Sequence, residues 1–153
     1  MSNNGLSAAD WRFIEDMARL LLPWGMPQTA ARLYGYLLLS AEPVSLDRIT
    51  TDLQVSKSSV SVAARLLEQY RLARRHGERG SKRALYGVSD NYEGMVAEQT
   101  HLLQVMADLL KAGGDGAAPV AVRERLGEMA EFYLAMREAM EDTLDRWRDR
   151  RRR

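Results

Sequence analysis

Two serines, eleven residues apart and each followed by a short amphipathic segment, constrain the fold of this chain most strongly. A serine before a helix is a good N-cap because its hydroxyl accepts a hydrogen bond from a backbone N–H of the first turn. Apolar residues at three- and four-residue spacing predict one helix from Ser45 to about Leu53 and another from Ser56 to about Tyr70. Two helices joined by so tight a turn indicate a helix-turn-helix. The side chains predicted to face inward are Leu46, Ile49 and Leu53 in the first helix and Val60, Ala64 and Leu67 in the second.

The periodicity changes from helical to strand-like directly after this helix pair. Residues 72–76 and 83–88 predict two short strands, and the polar turn between them contains two glycines. A hairpin in this position is a wing. We therefore predict a mainly α fold with a small β-hairpin wing, a winged helix-turn-helix joined to a long helical dimerisation region.

Further helices are predicted before the helix-turn-helix. Ser7 is the N-cap of an amphipathic helix that ends at Pro23 and Gly25. Pro27 opens a second helix, which runs to about Ala41 and is apolar on nearly all sides, so we expect it at the centre of the domain.

Gly35 lies inside that second helix, where a glycine costs helix stability, and we expect another backbone to approach closely there. After the hairpin, Asp90 and Glu93 resemble a capping box at the start of a long helix. Residues 112–118 predict a flexible connection, and Pro119 fits the first position of the last helix. The predicted regions are an N-terminal helix for dimerisation or packing (1–26), a winged helix-turn-helix DNA-binding region (27–89) and a helical dimerisation region (90–153).

The last predicted helix carries a heptad pattern. Two series of residues seven apart alternate at spacings of four and three, as the a and d positions of a coiled coil do. At 1.5 Å per residue, a helix of about 29 residues is about 43 Å long. That is too long for the heptad pattern to be fully buried against a small domain, so we predict pairing with a second copy of the chain. The alternative is packing on the preceding helix alone. The predicted dimer contacts are Leu126, Met129, Tyr133, Met136, Met140 and Trp147.

The net charge of +1 conceals a strongly basic segment. Between Gln54 and Asp90, eight lysines and arginines stand against three acidic residues, so this segment carries +5 and the rest of the chain −4. A local basic patch on a nearly neutral protein suggests a polyanionic partner at one place. A solvated basic face is the alternative.

The second helix of the pair presents side chains that suit the major groove of double-stranded DNA. Small hydroxyl groups let a helix sink into the groove and bond bases or phosphates. Val62 can touch a thymine methyl, Arg65 can bind guanine or phosphate, and Lys57 with the helix N-terminus suits a phosphate. A serine-rich solvated face is the alternative. The predicted DNA contacts of this helix are Ser56, Lys57, Ser58, Ser59, Ser61, Val62 and Arg65.

Two other basic stretches are candidates for contact with DNA. In the wing, Arg79 lies at the turn and is followed by Lys82 and Arg83, and an arginine on a hairpin tip can enter the minor groove, where the negative potential is strong. The alternative is a turn made soluble by charge. The run from Arg146 to Arg153 contains six arginines, which can touch phosphate, balance the helix C-terminus or lie frayed in solvent.

No catalytic or metal-binding pattern emerges from the sequence. The chain has no cysteine and only two histidines, His76 and His101, so disulfides and thiolate metal sites are excluded and a histidine-rich site is not expected. Protease and hydrolase motifs and a phosphate-binding glycine loop are missing. We predict a protein that is not an enzyme and has no cofactor. No apolar run approaches the roughly 18 residues of a membrane span and no secretory signal is evident, so a cytoplasmic protein without a membrane partner is expected.

The stretch from Pro27 to Ser61 resembles bacterial transcriptional regulators of the GbsR/MarR type. The matching pieces are RLYGYLLL at 32–39, EPVSL at 42–46 and VSKSSVS at 55–61. Two residues depart from the pattern: Ala31 stands where a glycine often precedes the arginine, and Arg71 replaces the glycine usual before the first wing strand. The resemblance implies a homodimer with intertwined terminal helices that binds a pseudo-palindromic operator. It often implies a repressor released by a small effector. The alternative function is a winged-helix protein-interaction module without specific DNA readout.

Aromatic and soft side chains near the junction of the two regions suggest an effector pocket. An aromatic cage can hold a quaternary ammonium compound or a flat aromatic molecule. Some regulators that this chain resembles are linked to osmoprotectant metabolism, so the resemblance makes choline-like molecules candidate ligands. Plain core packing is the alternative. The predicted effector-binding residues are Trp24, Met26, Tyr36 and Tyr92; Tyr34, Phe132 and Tyr133 belong to the same group.

Overall fold

The structure is a computed structural model that describes residues 5–77, 80, 83–116 and 118–153. The predicted mainly helical fold with a small β-hairpin is confirmed. The chain forms two compact units, Met1–Tyr92 and Glu93–Arg153. Its elements in chain order are α1 (Ala8–Leu21), a short 3-10 helix (Leu22–Trp24), α2 (Gln28–Leu38), β1 (Val44–Ser45), α3 (Leu46–Leu53), α4 (Lys57–Gln69), β2 (Ala73–Gly77), β3 (Ala84–Val88), α5 (Glu93–Gly114) and α6 (Val120–Arg152).

Both serines that define the helix-turn-helix act as predicted. The Ser45 hydroxyl accepts a hydrogen bond from the N–H of Arg48 at 3.2 Å, and the Ser56 hydroxyl accepts one from the N–H of Ser59, also at 3.2 Å. Between the two helices, Gln54 closes α3 in the left-handed conformation, with φ of 57°. Few residues other than glycine adopt this region, and it turns the chain sharply enough for α4 to begin three residues later.

The core of the first unit forms around α2, which contacts α1 on one side and α4 on the other. Every inward residue predicted for α4 is fully buried. The helix α2 ends at Leu38, about three residues earlier than expected. The fully buried large side chains of this unit are Ile14, Leu33, Leu37, Ile49, Val60 and Leu67.

Helix α1 begins at a reciprocal capping box, in which the Ser7 hydroxyl accepts from the N–H of Asp10 and the Asp10 carboxylate accepts from the N–H of Ser7. Its contact with α2 depends on Gly35, as predicted. A Cβ placed on Gly35 would lie 3.2 Å from the Cα of Ile14, a contact tighter than most that real Cβ atoms make, so a side chain there would require a small shift of the α1 backbone.

The wing is a three-stranded antiparallel sheet in the order β1–β3–β2. In its hairpin Ala73 pairs with Val88 and Gly77 with Ala84, each strand beginning one residue later than predicted. The sequence did not indicate β1, a two-residue strand in which Val44 pairs with Tyr86. It escaped notice because so short a strand has no periodicity of its own.

Arg71 takes the place of a glycine at the end of α4 without changing the turn. Its φ is 61°, its N–H donates to the carbonyl of Glu68, and the N–H of Leu72 donates to the carbonyl of Leu67. This pair of bonds is a Schellman motif, whose left-handed position usually holds glycine. The backbone therefore keeps the conformation and Arg71 bears its steric cost.

The second unit consists of α5 and α6, which contact each other along their length. Buried residues on α5 are Glu93, Gly94, Thr100 and Ala107, and those on α6 are Ala130 and Leu144. Helix α5 begins at Glu93. Two details differ from the predictions. Helix α5 continues through Gly113 and Gly114, within the expected flexible connection, and Pro119 is the N-cap of α6 rather than its first residue.

Near the end of α5, Gly113 lies beside Leu126 of α6: a Cβ on the glycine would be in ordinary van der Waals contact with Cδ1 of the leucine, at 3.4 Å. Within the described ranges, no helix combines the length and the apolar character needed to cross a membrane.

We expect Gly35→Ala to lower the free energy of unfolding by about 1–3 kcal/mol, because the new methyl group forces α1 and α2 apart. Alanine alone would favour a helix by about 1 kcal/mol over glycine, so the sign of the change separates packing from propensity. Urea denaturation gives the value. Gly127→Ala is the matched control. A Cβ at position 127 meets nothing within 4 Å, so this substitution should stabilise the protein through helix propensity alone. An alanine at position 35 that is tolerated as well as one at position 127 would contradict the close approach.

Candidate nucleic-acid interface

The outer face of α4 carries the side chains predicted to contact DNA. This reading face consists of Lys57, Ser58, Ser59, Ser61, Val62 and Arg65. All of them are exposed except Ser61, which is partly exposed. Because Val60, Ala64 and Leu67 are buried on the opposite side, the helix presents a row of small side chains to solvent. Such a surface lets the backbone come close to the edges of base pairs.

The N-terminus of α4 is ordered by hydroxyl groups. Besides capping the helix, Ser56 Oγ lies 2.8 Å from Ser59 Oγ and 3.3 Å from Ser58 Oγ. Ser56, predicted as a DNA contact, thus also holds the first turn in place. The first backbone N–H groups of a helix have no partner within it and carry partial positive charge, so this end suits a phosphate.

The two cations of the reading face are weakly held in the free protein. Lys57 Nζ lies 3.2 Å from a carboxylate oxygen of Asp47, but both side chains are about two-thirds exposed or more, and such pairs contribute little. Arg65 donates from Nε and Nη2 to the backbone and hydroxyl oxygens of Ser61, both at 3.4 Å. These long bonds can be exchanged for contacts with DNA at small cost.

The structure covers the predicted wing contacts only in part. Arg79 and Lys82 lie outside the described residues. Arg83 precedes β3, and its Nη2 donates to Ser45 Oγ at 3.0 Å. Arg83 therefore ties the base of the wing to the start of α3, a role that its position in a basic run did not reveal.

A partly buried hydrogen-bond network that the sequence did not indicate joins α2 to α3. The Tyr36 hydroxyl donates to Asp52 Oδ2 at 2.6 Å, and Arg48 Nε donates to the same oxygen at 3.0 Å. Burial, with the hydrogen bond to Asp52 and its negative charge, raises the pKa of Tyr36 well above its ordinary value of 10. The hydroxyl therefore stays a donor and keeps the first helix of the helix-turn-helix in register with α2.

Proteins that are similar to this chain are named as transcriptional regulators. A family model described as MmpR5-like MarR family transcriptional regulator matches residues 90–150. The HTH-type transcriptional regulator MmpR5 of Mycobacterium tuberculosis is 29% identical over 146 residues, which span 90% of this chain and 86% of that protein. A crystal structure of a transcriptional regulator, 26% identical, superposes with a TM-score of 0.79 over 92% of this chain and 99% of its own.

The chain is a helix-turn-helix transcriptional regulator that is similar to regulators of the MarR family. The relatives are named as HTH-type transcriptional regulators, which supports a DNA-binding transcriptional regulator. The HTH-type transcriptional repressor OpcR of Bacillus subtilis is also similar, at 27% identity over 84 residues, and the match spans 55% of this chain and 45% of that protein.

The predicted effector residues differ in exposure and do not share one of the described cavities. Trp24 is 72% exposed, Met26 is buried, and Tyr92 is half exposed. Tyr36 is buried, with its hydroxyl on Asp52, and lines an open cavity of about 710 Å³ together with Ser45, Arg48 and Arg83. Of the four residues, only Tyr36 lines one of the three cavities described. No cluster of three or more potential metal ligands occurs among the described residues.

The predicted dimer contacts of this regulator divide into two groups within the second unit. The series seven apart that contains Leu126, Tyr133, Met140 and Trp147 is partly buried, along the side of α6 that packs on α5. Met129 and Met136, which belong to the other series, are 40% and 42% exposed, and Phe132 between them is 60% exposed. One chain therefore covers about half of the heptad pattern and leaves the other half in contact with solvent.

We expect Tyr36→Phe to lower stability at pH 8 by about 1–3 kcal/mol, because the buried Asp52 carboxylate loses a donor. The raised pKa means that the folded protein keeps Tyr36 neutral while the unfolded chain ionises above pH 10. The advantage of the tyrosine is therefore complete below pH 10 and shrinks by about 1.4 kcal/mol for each further pH unit.

Urea denaturation at about pH 8 and pH 11 measures both effects. Tyr34→Phe is the control, since burial alone raises the pKa of that hydroxyl. A Tyr36→Phe protein whose deficit does not shrink at high pH would contradict the assignment.

Proposed function

We propose that this DNA-binding regulator acts as a homodimer that reads a pseudo-palindromic operator with α4 of each copy and represses transcription. The reading face is the observation that carries the proposal. Its side chains are small, exposed and polar around Val62, and they lie at the capped, electropositive end of a helix. A helix of this kind fits the major groove, where each base pair presents a distinct pattern of donors and acceptors.

Each side chain of the reading face has a distinct task in this proposal. Arg65 binds the two acceptors of a guanine, a contact worth about 1–3 kcal/mol of discrimination. Val62 contacts a thymine methyl group, and the hydroxyls of Ser58 and Ser61 bond bases or phosphates. Lys57 exchanges Asp47 for a phosphate. Arg79, Lys82 and Arg83 are proposed to follow the minor groove beside it.

The homodimer is supported by the uncovered half of the heptad pattern. Met129, Phe132 and Met136 recur at spacings of three and four on α6 and remain substantially exposed. A second α6 with the same pattern offers a complementary apolar surface. A two-fold dimer presents two copies of α4, and two such helices read half-sites about one helical turn, or 10 base pairs, apart.

Repression is the sign of regulation that we propose, since the related OpcR is named a repressor. Release by a small effector remains a prediction. Of the four predicted effector-binding residues, Tyr36 alone lines one of the described cavities. Its hydroxyl already donates a hydrogen bond to Asp52.

Arg65→Ala is expected to reduce the preference for the operator over unrelated DNA by about 1–3 kcal/mol, because the variant no longer distinguishes guanine. Fluorescence anisotropy with DNA from the region upstream of the regulated gene, scanned base by base, measures the preference. Arg12→Ala, which removes an exposed arginine from α1, is the control and should leave it unchanged. If the unmodified protein shows no sequence preference at physiological salt, a protein-interaction module becomes the better interpretation.

Replacing both exposed methionines of α6, in the variant Met129→Glu with Met136→Glu, is expected to convert the dimer into monomers, because four carboxylates would then meet in an apolar interface. Light scattering at micromolar concentration reports the mass. Ala135→Glu adds a charge to the same helix at an exposed position outside the heptad pattern and should leave the dimer intact. A monomeric parent protein would refute the homodimer.

A further inference from the structure

Charge on α6 is separated into two opposite blocks. Residues 138–145 contain four acidic residues and no basic ones, whereas residues 146–153 contain six arginines and one aspartate. The second block, which we call the arginine tip, carries +5 in eight residues. That equals the charge of the whole basic segment 54–90, so half of the strongly basic surface of this chain lies outside the winged helix-turn-helix.

The arginine tip is ordered rather than frayed. Helix α6 continues to Arg152, and Nη1 of Arg151 donates to both carboxylate oxygens of Glu93, at 3.0 and 3.1 Å. The Glu93 side chain is only 11% exposed, so this ion pair is partly shielded from water. Charge-assisted bonds of this kind are stronger than neutral ones and fix the tip to the first turn of α5.

Three arginines of the tip share the face of α6 that points away from Glu93. Arg146, Arg150 and Arg153 follow one another at spacings of four and three. At 100° per residue Arg146 and Arg153 lie roughly opposite Arg151, and Arg150 lies about 100° from it. The guanidinium of Arg150 lies over the ring of Trp147, 5.4 Å from its centroid. In the part of the chain that the structure describes, Arg146 and Arg153 have no ion-pair partner. This outer stripe is about 10 Å long.

The short connection between β3 and α5 sets an upper limit on the distance between the wing strands and the residue that anchors the tip. Five residue steps separate Val88, the last residue of β3, from Glu93, and five steps of chain span at most about 18 Å. This limit is compatible with contact between one DNA duplex and both basic blocks of the chain.

We propose that the outer stripe of Arg146, Arg150 and Arg153 binds phosphates of the same DNA duplex, outside the bases that α4 reads. Arginine contacts to phosphate add affinity and position without reading sequence. The acidic block 138–145 repels phosphates and so confines the contact to the last two turns of α6. This inference rests on DNA binding by the chain, and its partner is double-stranded DNA rather than an acidic protein or RNA.

The test is the salt dependence of DNA binding by the full chain. Replacing all three arginines by glutamine (R146Q/R150Q/R153Q) should make the plot of log K against log salt shallower. The magnitude of its negative slope should decrease by about 0.9 for each phosphate that the variant no longer binds. It should also raise Kd for specific and unrelated duplexes by the same factor, so base preference is unchanged. The measurement is fluorescence anisotropy between about 50 and 200 mM salt, a range over which each bound phosphate accounts for roughly a 3.5-fold decrease in affinity.

The matched control removes three positive charges from the other end of the same helical hairpin (K111Q/R123Q/R125Q) and should leave the slope unchanged. Melting curves test whether the three arginines only stabilise the C-terminus of α6. In that case the triple variant would have a changed Tm but the same slope of log K against log salt as the unmodified protein. If the triple variant does not fold, Arg146→Gln and Arg153→Gln singly should each remove one phosphate from the interface.

A slope equal to that of the unmodified protein, or an equal change in the control, would overturn the inference while leaving the proposed function intact. Failure of the unmodified protein to prefer any sequence would instead count against the proposed function. Parent and variant proteins that bind DNA alike but differ in binding single-stranded RNA or an acidic peptide would assign the tip to another partner and likewise overturn the inference.

Discussion

The burial of one side of α4 is the constraint on which the rest of the winged helix-turn-helix depends. Val60, Ala64 and Leu67 are fully buried, and this fixes the rotation of the helix about its own axis. A rotation by one residue position would turn an apolar side chain into solvent and a serine or arginine into the core, at a cost of several kcal/mol. The reading face is thus determined by what lies behind it. Ser56 fixes where the helix starts, and the Schellman motif at Arg71 fixes where it ends and the wing begins.

The features that could be predicted from the sequence are those that depend on neighbours close in the chain. An N-cap bonds a residue three positions ahead, and an amphipathic helix repeats every 3.6 residues, so Ser7, Ser45, Ser56 and the inward face of α4 were all predictable. The contacts between elements were not. Tyr36 and Asp52 are 16 residues apart and Ser45 and Arg83 are 38 apart, and no local pattern indicates that they meet. Arg71 shows the opposite case, in which a residue with the wrong propensity adopts the glycine conformation because the surrounding bonds require it.

The heptad pattern shows how far sequence periodicity can be interpreted. Periodicity detects apolar positions but does not say which neighbour covers them. Within one chain, α5 partly covers the series from Leu126 to Trp147 and leaves Met129 and Met136 exposed. A pattern that served only the hairpin would need one stripe, because a helix that packs on a single neighbour buries one face. The second stripe is therefore the part of the pattern that supports an additional partner, and a copy of the same helix satisfies it with the same residues.

Electrostatics in this protein is arranged by position and not by total charge. With a net charge of +1, the whole molecule has no long-range attraction for a polyanion, yet two segments of the chain each carry +5. At physiological salt the Debye length is about 8 Å, so DNA responds to the block it touches and is barely affected by the acidic residues elsewhere. The weak pairs of Lys57 with Asp47 and of Arg65 with Ser61 fit the same logic. Both contacts are weak enough for phosphates and bases to replace them.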